Sequence, residues 1–325
     1  MLNGSSIAWA LTSDNIQLSE PTNGLPAPVS TPTVEDLLQA SLAPNTRRAY
    51  RDDLAHFTTW GGTVPTPPET LARYLAEHAD RLAVATLARR LVSIGKAHTM
   101  QSQPNPAATD LVKLTMRGIR RTYGKPQRQA AAAIKEDVLA MVAAMDDSIK
   151  DLRDRALILV GFAGAFRRSE LVGITLADIE RVPQGIVITL PRSKTDQDGH
   201  GRKVGIPFAR GKACPVLALD AWLNASNLTE GPLFRSINRH GHVGDTRLSG
   251  EAVAIVVKEW AEAVGLDPDR YSGHSLRAGL ATSAATAGVA SWKIRQQTGH
   301  ASDAMLGRYI RDGELFKDNA AGAVL

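Results

Sequence analysis

The sequence predicts a mainly α-helical protein of two domains that carries one small antiparallel sheet, and three observations lead there. Amphipathic helical periodicity recurs along most of the chain. It is interrupted once by a short, charged, non-periodic stretch, GKPQRQ at 124–129. Only one place reads as paired strands: GIVITLP (185–191) and RKVGIP (202–207), separated by the turn-rich SKTDQDGHG. A length of 325 residues, at roughly 150 per domain, fits two units.

Taken in order, residues 1–33 mix Ser, Thr, Asn, Gly and Pro, and PTNGLPAPVSTPT can hold neither a helix nor a central strand, so a disordered arm is expected. From Val34 the pattern turns helical. Tyr50, Leu54 and Phe57 share a stripe after the cap-like Asn45, with Arg47, Arg48 and Arg51 on other faces. A second helix follows PTPPE with Leu71, Tyr74 and Leu75 inward. A third runs through Val84, Leu87, Leu91 and Ile94, placing Thr86, Arg89, Arg90 and Lys96 outside its stripe. A fourth covers about 106–122, which closes a helical domain at 34–123. After the linker 124–130, the second domain, 131–325, shows helical patterns at 134–146, 150–165, 214–225, 248–264, 274–287, 290–298 and 301–310 around the strand pair.

Composition removes several function classes. The single cysteine, Cys214, forms no internal disulfide and no CxxC metal clamp. The longest apolar run, at 156–166, is too short to span a bilayer, and the first residues lack a signal peptide's basic region, so a cytoplasmic protein is expected. No GxxxxGK[ST] loop occurs, and no metal or other cofactor is expected. The charge is unevenly placed. The first 44 residues hold four acids and no Lys or Arg, whereas residues 45–130 hold fourteen Lys and Arg against six Asp and Glu. A basic block of that size is the footprint of a polyanion partner; a solvated charged surface is the plainer alternative.

The candidate chemical residues are individually ambiguous. Arg167 ends the apolar run GFAGAF, and Glu170 lies at i+3, which also suits an ordinary ion pair. Lys194 falls in the loop between the two strands. His274 and Arg277 form an HxxR pair in SGHSLRAG at a helix start. His300 follows glycine in QQTGHAS, and Tyr309 sits in LGRYIRD, where a helical tyrosine is usually packing.

Together, GAFRRSEL, RSKT, SGHSLRAG, TGHAS and RYIRD, in this order, resemble the tyrosine recombinase (phage integrase) family, and within it the Cre subgroup, from about Val34 to the C-terminus. One departure is His300, where Cre has Trp. The family spacing before S-E-L selects Arg167 over Arg168. The resemblance implies a SAM-like helical core-binding domain followed by a tyrosine recombinase catalytic domain. It implies Tyr309 as nucleophile forming a 3′-phosphotyrosyl bond, Arg167 and Arg277 as holders of the phosphate oxygens, and Lys194 as acid for the departing 5′ oxygen. His274 is implied as proton acceptor, His300 as a phosphate contact, and Glu170 as support for Arg167 or His274. Chemistry of this kind needs a nucleophile, charge stabilisation and a proton source, but neither metal nor ATP.

By the same resemblance the partner is double-stranded DNA bearing an inverted-repeat recombination site. The protein is expected as a monomer in solution and a homo-tetramer on two duplexes through a Holliday junction, with no membrane partner. Thr46, Arg47, Arg89 and Arg90 are candidates for groove or phosphate contact, Lys125 and Arg128 for the backbone along the linker, and the helix beginning near Ser249 for a further groove. Residues 314–325 place Phe316, Ala320, Ala321 and Val324 on one stripe, and the resemblance makes this a helix docking into a neighbouring subunit; packing on its own domain is the alternative. A type IB topoisomerase, a telomere resolvase and a non-catalytic DNA-binding protein of the same fold remain open as other functions.

Overall fold

The computed structural model describes residues 33, 41–125, 129–191, 201–300, 302, 304, 306, 307 and 309. Most of the expected arm, the stretch 34–40, the expected tail helix 314–325, and the candidates Arg128 and Lys194 lie outside the described residues. The chain divides into two compact units, Met1–Gln127 and Arg128–Leu325.

Among the described residues the first unit holds four α-helices: α1 (Pro44–Thr59), α2 (Pro68–Glu77), α3 (Val84–Met100) and α4 (Asp110–Tyr123). Their apolar stripes meet in one core of Phe57, Leu71, Tyr74, Leu75, Leu87, Ile94, Val112 and Met116. Two local expectations are corrected. Ala43, not Asn45, is the residue before the first turn of α1, with Pro44 as the first helical residue. The fourth helix is preceded by a separate 3-10 turn at Pro106–Ala108, capped by the Asn105 side chain.

A larger correction concerns Arg90. Expected on an outer face of α3, it is 9% exposed. Its Nη1 donates to Tyr74 Oη at 3.0 Å and reaches His56 Nδ1 at 2.8 Å, and its Nε lies 3.6 Å from buried Asp53. A guanidinium can enter a core when a buried carboxylate and hydroxyl receive it. Those partners lie on α1 and α2, so a single-helix periodicity does not reveal them.

The second unit contains α5 (Lys135–Ala143), α6 (Ile149–Ala163), α7 (Arg168–Gly173), β1 (Ile179–Val182), β2 (Gly185–Leu190), β3 (Arg202–Pro207), α8 (Pro215–Ser226), β4 (Arg235–Ile237), β5 (Val243–Arg247), α9 (Gly250–Ala263), α10 (Ser275–Thr286) and α11 (Ser291–Thr298). The mainly α class with a small antiparallel sheet is therefore observed. The expected strand pair is β2 and β3, joined antiparallel with Ile188 opposite Val204. A third strand, β1, extends the sheet in the order β1-β2-β3, and β4 and β5 make a second, two-stranded sheet. Ile186, Ile188 and Leu190 on β2 and Val204 and Ile206 on β3 point into a core shared with Leu157, Trp222, Phe234 and Val257.

The first residues past the linker are tied to α10 and to the turn at Pro268–Arg270 that precedes it. The Ala131 amide donates to the Arg270 carbonyl at 2.6 Å and that of Ala133 to the Ser275 carbonyl at 3.0 Å. The Lys135 amide donates to Ser283 Oγ at 3.0 Å. A Cβ on Gly279 would lie 1.7 Å from the Ala133 carbonyl oxygen, so only glycine permits this approach.

Candidate active site

The site assembles at the ends of three helices of the second unit. α6 ends at Gly164, and Ala165 then adopts a left-handed conformation (φ 48°) that turns the chain before Phe166 and Arg167. Arg167 precedes the first residue of α7, and Glu170, three residues on, folds back over it. The Arg167 amide donates to Glu170 Oε2 at 2.9 Å and its Nη1 to Oε1 at 2.5 Å. Glu170 is 8% exposed, so this carboxylate is a buried brace that fixes the direction of the guanidinium. Arg168, the first residue of α7, is exposed, whereas Arg167 is partly buried and braced by Glu170.

HxxR is explained by helix geometry. His274 stands just before α10, and Arg277 is one turn further on the same face. Arg277 is 1% exposed, and its Nη1 donates to the carbonyls of Ala165 and Thr298. Burial and the nearby Arg167 lower its pKa to about 10, which still leaves it charged at neutral pH.

The last turn of α11 supplies the remaining wall. Gly299 takes the left-handed conformation (φ 66°) that closes the helix, as the TGH triplet allows. Its carbonyl accepts from Arg167 Nη2 at 3.4 Å, and the Thr298 carbonyl accepts from Arg277. The helix's unsatisfied C-terminal oxygens thus hold both arginines. His300 follows, 8% exposed, with Nδ1 2.8 Å from Thr298 Oγ1. Burial, together with Arg277 and Arg167, lowers its pKa to about 4, so the ring is neutral at pH 7.

Tyr309 is helical and packs beside Leu306 on the small apolar cluster of Ala281, Ala285 and Ile294. Its Oη lies 2.7 Å from His274 Nε2, and its ring centroid is 5.7 Å from that of His300. Desolvation, Arg277 and Arg167 lower the His274 pKa, which keeps that imidazole neutral and able to accept a proton.

Six of the seven predicted catalytic candidates therefore meet in one place: Arg167, Glu170, His274, Arg277, His300 and Tyr309. Lys194 lies outside the described residues. Sequence reading missed Arg202, at the start of β3. Its Nη1 donates to the Gln297 carbonyl at 2.7 Å, and its Nη2 lies 3.6 Å from Glu170 Oε2. No motif or spacing marks it, because its partners are a backbone oxygen and a side chain remote in sequence. Three guanidiniums around one carboxylate leave a positive excess between partly buried walls, which suits an anionic group such as a phosphodiester. Among the described residues no group of three His, Cys, Asp or Glu is placed to hold a metal ion.

Of the DNA-contact candidates, Thr46, Arg47, Arg89, Arg90 and Lys125 belong to the first unit. Thr46 and Arg47 lie in the first turn of α1, both partly buried. Arg89 is exposed on α3, Arg90 is in the interior, and Lys125 is exposed beyond α4. In the second unit α9 begins after Ser249, whose hydroxyl accepts from the Ala252 amide. No described helix is long and apolar enough to cross a membrane.

Comparison with known proteins gives consistent findings. The profile of the phage integrase family matches residues 134–314. An integrase/recombinase XerD homolog of Selenomonas ruminantium is 41% identical over 293 residues, covering 87% of this chain and 86% of the relative. Recombinase Cre of Escherichia phage P1 is 27% identical over 281 residues, covering 80% of this chain and 79% of its own. In fold, the chain is similar to a XerH site-specific recombinase solved with a palindromic difH substrate as a post-cleavage complex, with TM-score 0.63 and 17% identity over 87% of this chain and 81% of that one.

Proposed function

Because the chain belongs to the phage integrase family of tyrosine recombinases, we propose that it is a site-specific DNA recombinase that breaks and rejoins strands through a 3′-phosphotyrosyl intermediate and a Holliday junction. The observation that carries this reading is the 2.7 Å approach of Tyr309 Oη to His274 Nε2, flanked by two braced arginines, Arg277 buried and Arg167 partly buried.

An unperturbed phenol has a pKa near 10, so attack on phosphorus requires that its proton be taken. A neutral His274 accepts it. Arg167 and Arg277, held by Glu170 and by backbone carbonyls, meet the two non-bridging oxygens with forks fixed in advance, so little reorganisation is needed as charge builds in the transition state. His300, held through Nδ1, has Nε2 to offer the phosphate. Lys194 protonates the departing 5′ oxygen. The phosphotyrosyl ester conserves the energy of the broken bond, so the reverse attack by a 5′ hydroxyl rejoins DNA without ATP, and no step calls for a metal.

The substrate in this reading is duplex DNA with an inverted repeat, and the XerH complex with a palindromic substrate supports that choice. Two copies occupy one site and four bring two sites together in a ring, with residues 314–325 of each docked in the next. The protein works in the cytoplasm, where its DNA is. Footprinting on DNA flanking the gene locates the repeat. A nicked suicide duplex of that site should then trap a covalent adduct with the wild-type protein and none with Tyr309→Phe, which should still bind. An adduct with the variant overturns the proposal.

A further inference from the structure

Asp53 is 1% exposed on α1, yet its carboxylate is turned toward the surface arginine of another helix. Arg89 Nε donates to Asp53 Oδ2 at 2.9 Å and Nη2 to Oδ1 at 2.8 Å. Ser93 Oγ donates to the same Oδ2 at 2.8 Å, and buried Arg90 approaches at 3.6 Å. Despite this double grip, the Arg89 side chain stays 50% exposed.

The grip uses one edge of the guanidinium. A planar fork bound edge-on through Nε and Nη2 keeps a second parallel pair of donors, one N–H of Nη1 and the outer N–H of Nη2, along its far end. That pair matches O6 and N7 of guanine in the major groove. A phosphate contact would gain nothing from Asp53, which weakens the cation it holds; a base contact gains direction. Arg90 offsets the carboxylate, so the trio keeps a net positive charge.

The surroundings suit a groove. Ala85, Arg89, Val92, Lys96 and Thr99 recur at helical spacing as one exposed stripe of α3, with Val92 56% exposed, and the helix contains no acidic residue. A helix fits the major groove, where an apolar side chain can meet a thymine methyl.

We propose that Arg89, positioned by Asp53 and Ser93, reads a single guanine in each half-site. The proposal rests on the recombinase reading, since it needs a protein that selects duplex sequence. The test is selection of bound duplexes from a randomised pool by the full-length protein, followed by binding to the selected site. Wild type should enrich an inverted repeat with one guanine that disappears from the sites chosen by Arg89→Ala and by Arg89→Lys, all other positions being kept. Replacing that guanine by 7-deazaguanine should weaken wild type about 5- to 100-fold and leave Arg89→Ala unaffected. Asp53→Asn, checked for its melting transition, should relax the same position; Arg89→Lys, at an exposed position, serves if Asp53→Asn does not fold. Retention of the guanine by Arg89→Lys, or an equal loss of affinity for all sequences in Arg89→Ala, overturns the proposal. No sequence enriched by the wild type would instead overturn the recombinase reading.

Discussion

Tyr309 Oη stands 2.7 Å from Nε2 of His274, whose pKa is held below its ordinary 6.5 by desolvation and by Arg277 and Arg167. In the proposed reaction His274 must be unprotonated to accept the phenolic proton. A lowered pKa therefore carries activity further to the acid side, and the acid limb of the cleavage-rate profile should fall below pH 6.5. His274→Gln should reduce single-turnover cleavage by roughly a hundredfold or more and abolish that limb. An unchanged limb in the variant would assign it to another group.

His300 links the site to acid stability. Its pKa is lowered to about 4 in the folded protein from 6.5, with burial the largest cause. Between those values the unfolded chain takes up a proton that the folded chain refuses, so stability is lost as pH falls through that window. Unfolding by urea at pH 7.5 and pH 5 should differ by about 2 kcal/mol from this residue alone. In His300→Gln that part of the difference should vanish.

Arg89 and Arg90 are adjacent in sequence but differ in fate. Arg90→Ala removes the donor to Tyr74 and an ion-pair partner of Asp53 inside the core. It should cost about 3 kcal/mol of stability, read as a lower melting temperature, while the salt dependence of DNA binding at a temperature where the variant is folded stays as in wild type. A changed salt slope with an unchanged melting temperature would place Arg90 at the DNA.

The tail offers a test of assembly. α10, α11 and β3 border a largely apolar cavity of about 510 Å³, with Phe162, Pro207, Leu280, Ala284, Val289 and Ile294 in its lining. In the proposed assembly its apolar lining would receive Phe316, Ala320, Ala321 and Val324 of a neighbouring copy, and a head-to-tail contact of that kind closes as a ring. Deleting residues 314–325 should leave a folded protein that binds one half-site, loses cooperative binding to a full site and recombines poorly. Undiminished cooperativity on paired sites would return the tail to its own domain.

Much of this was legible in the sequence where periodicity is strong. The four described helices between residues 44 and 123 and the alternation of Ile186, Ile188 and Leu190 against Val204 and Ile206 follow from side-chain spacing alone. β1 was not, because IERV puts Glu180 and Arg181 in solvent and leaves only its two ends partly buried. Helix α7 is shorter than two turns and shows no period. At the site, motif strings located the side chains but not what fixes them. The carbonyls of Ala165, Thr298 and Gly299 hold the arginines, and a carbonyl has no signature in residue identity. The separation of Arg89 from Arg90 depends on Asp53, 36 residues before Arg89.

The stitching of residues 131–135 onto α10 has a mechanical meaning. One main-chain bond reaches Arg270 just ahead of the helix, a second reaches Ser275 at its start and a third bond joins Lys135 to Ser283, while Gly279 lets the segment lie against the backbone. A chain fastened this way has no slack. A pull on the chain at Ala131 would therefore fall on the start of the helix that carries Arg277. In that role the segment would act as a tendon, and lengthening the chain by a few residues just before Ala131 would spare every side chain of the site while softening any pull that reaches it.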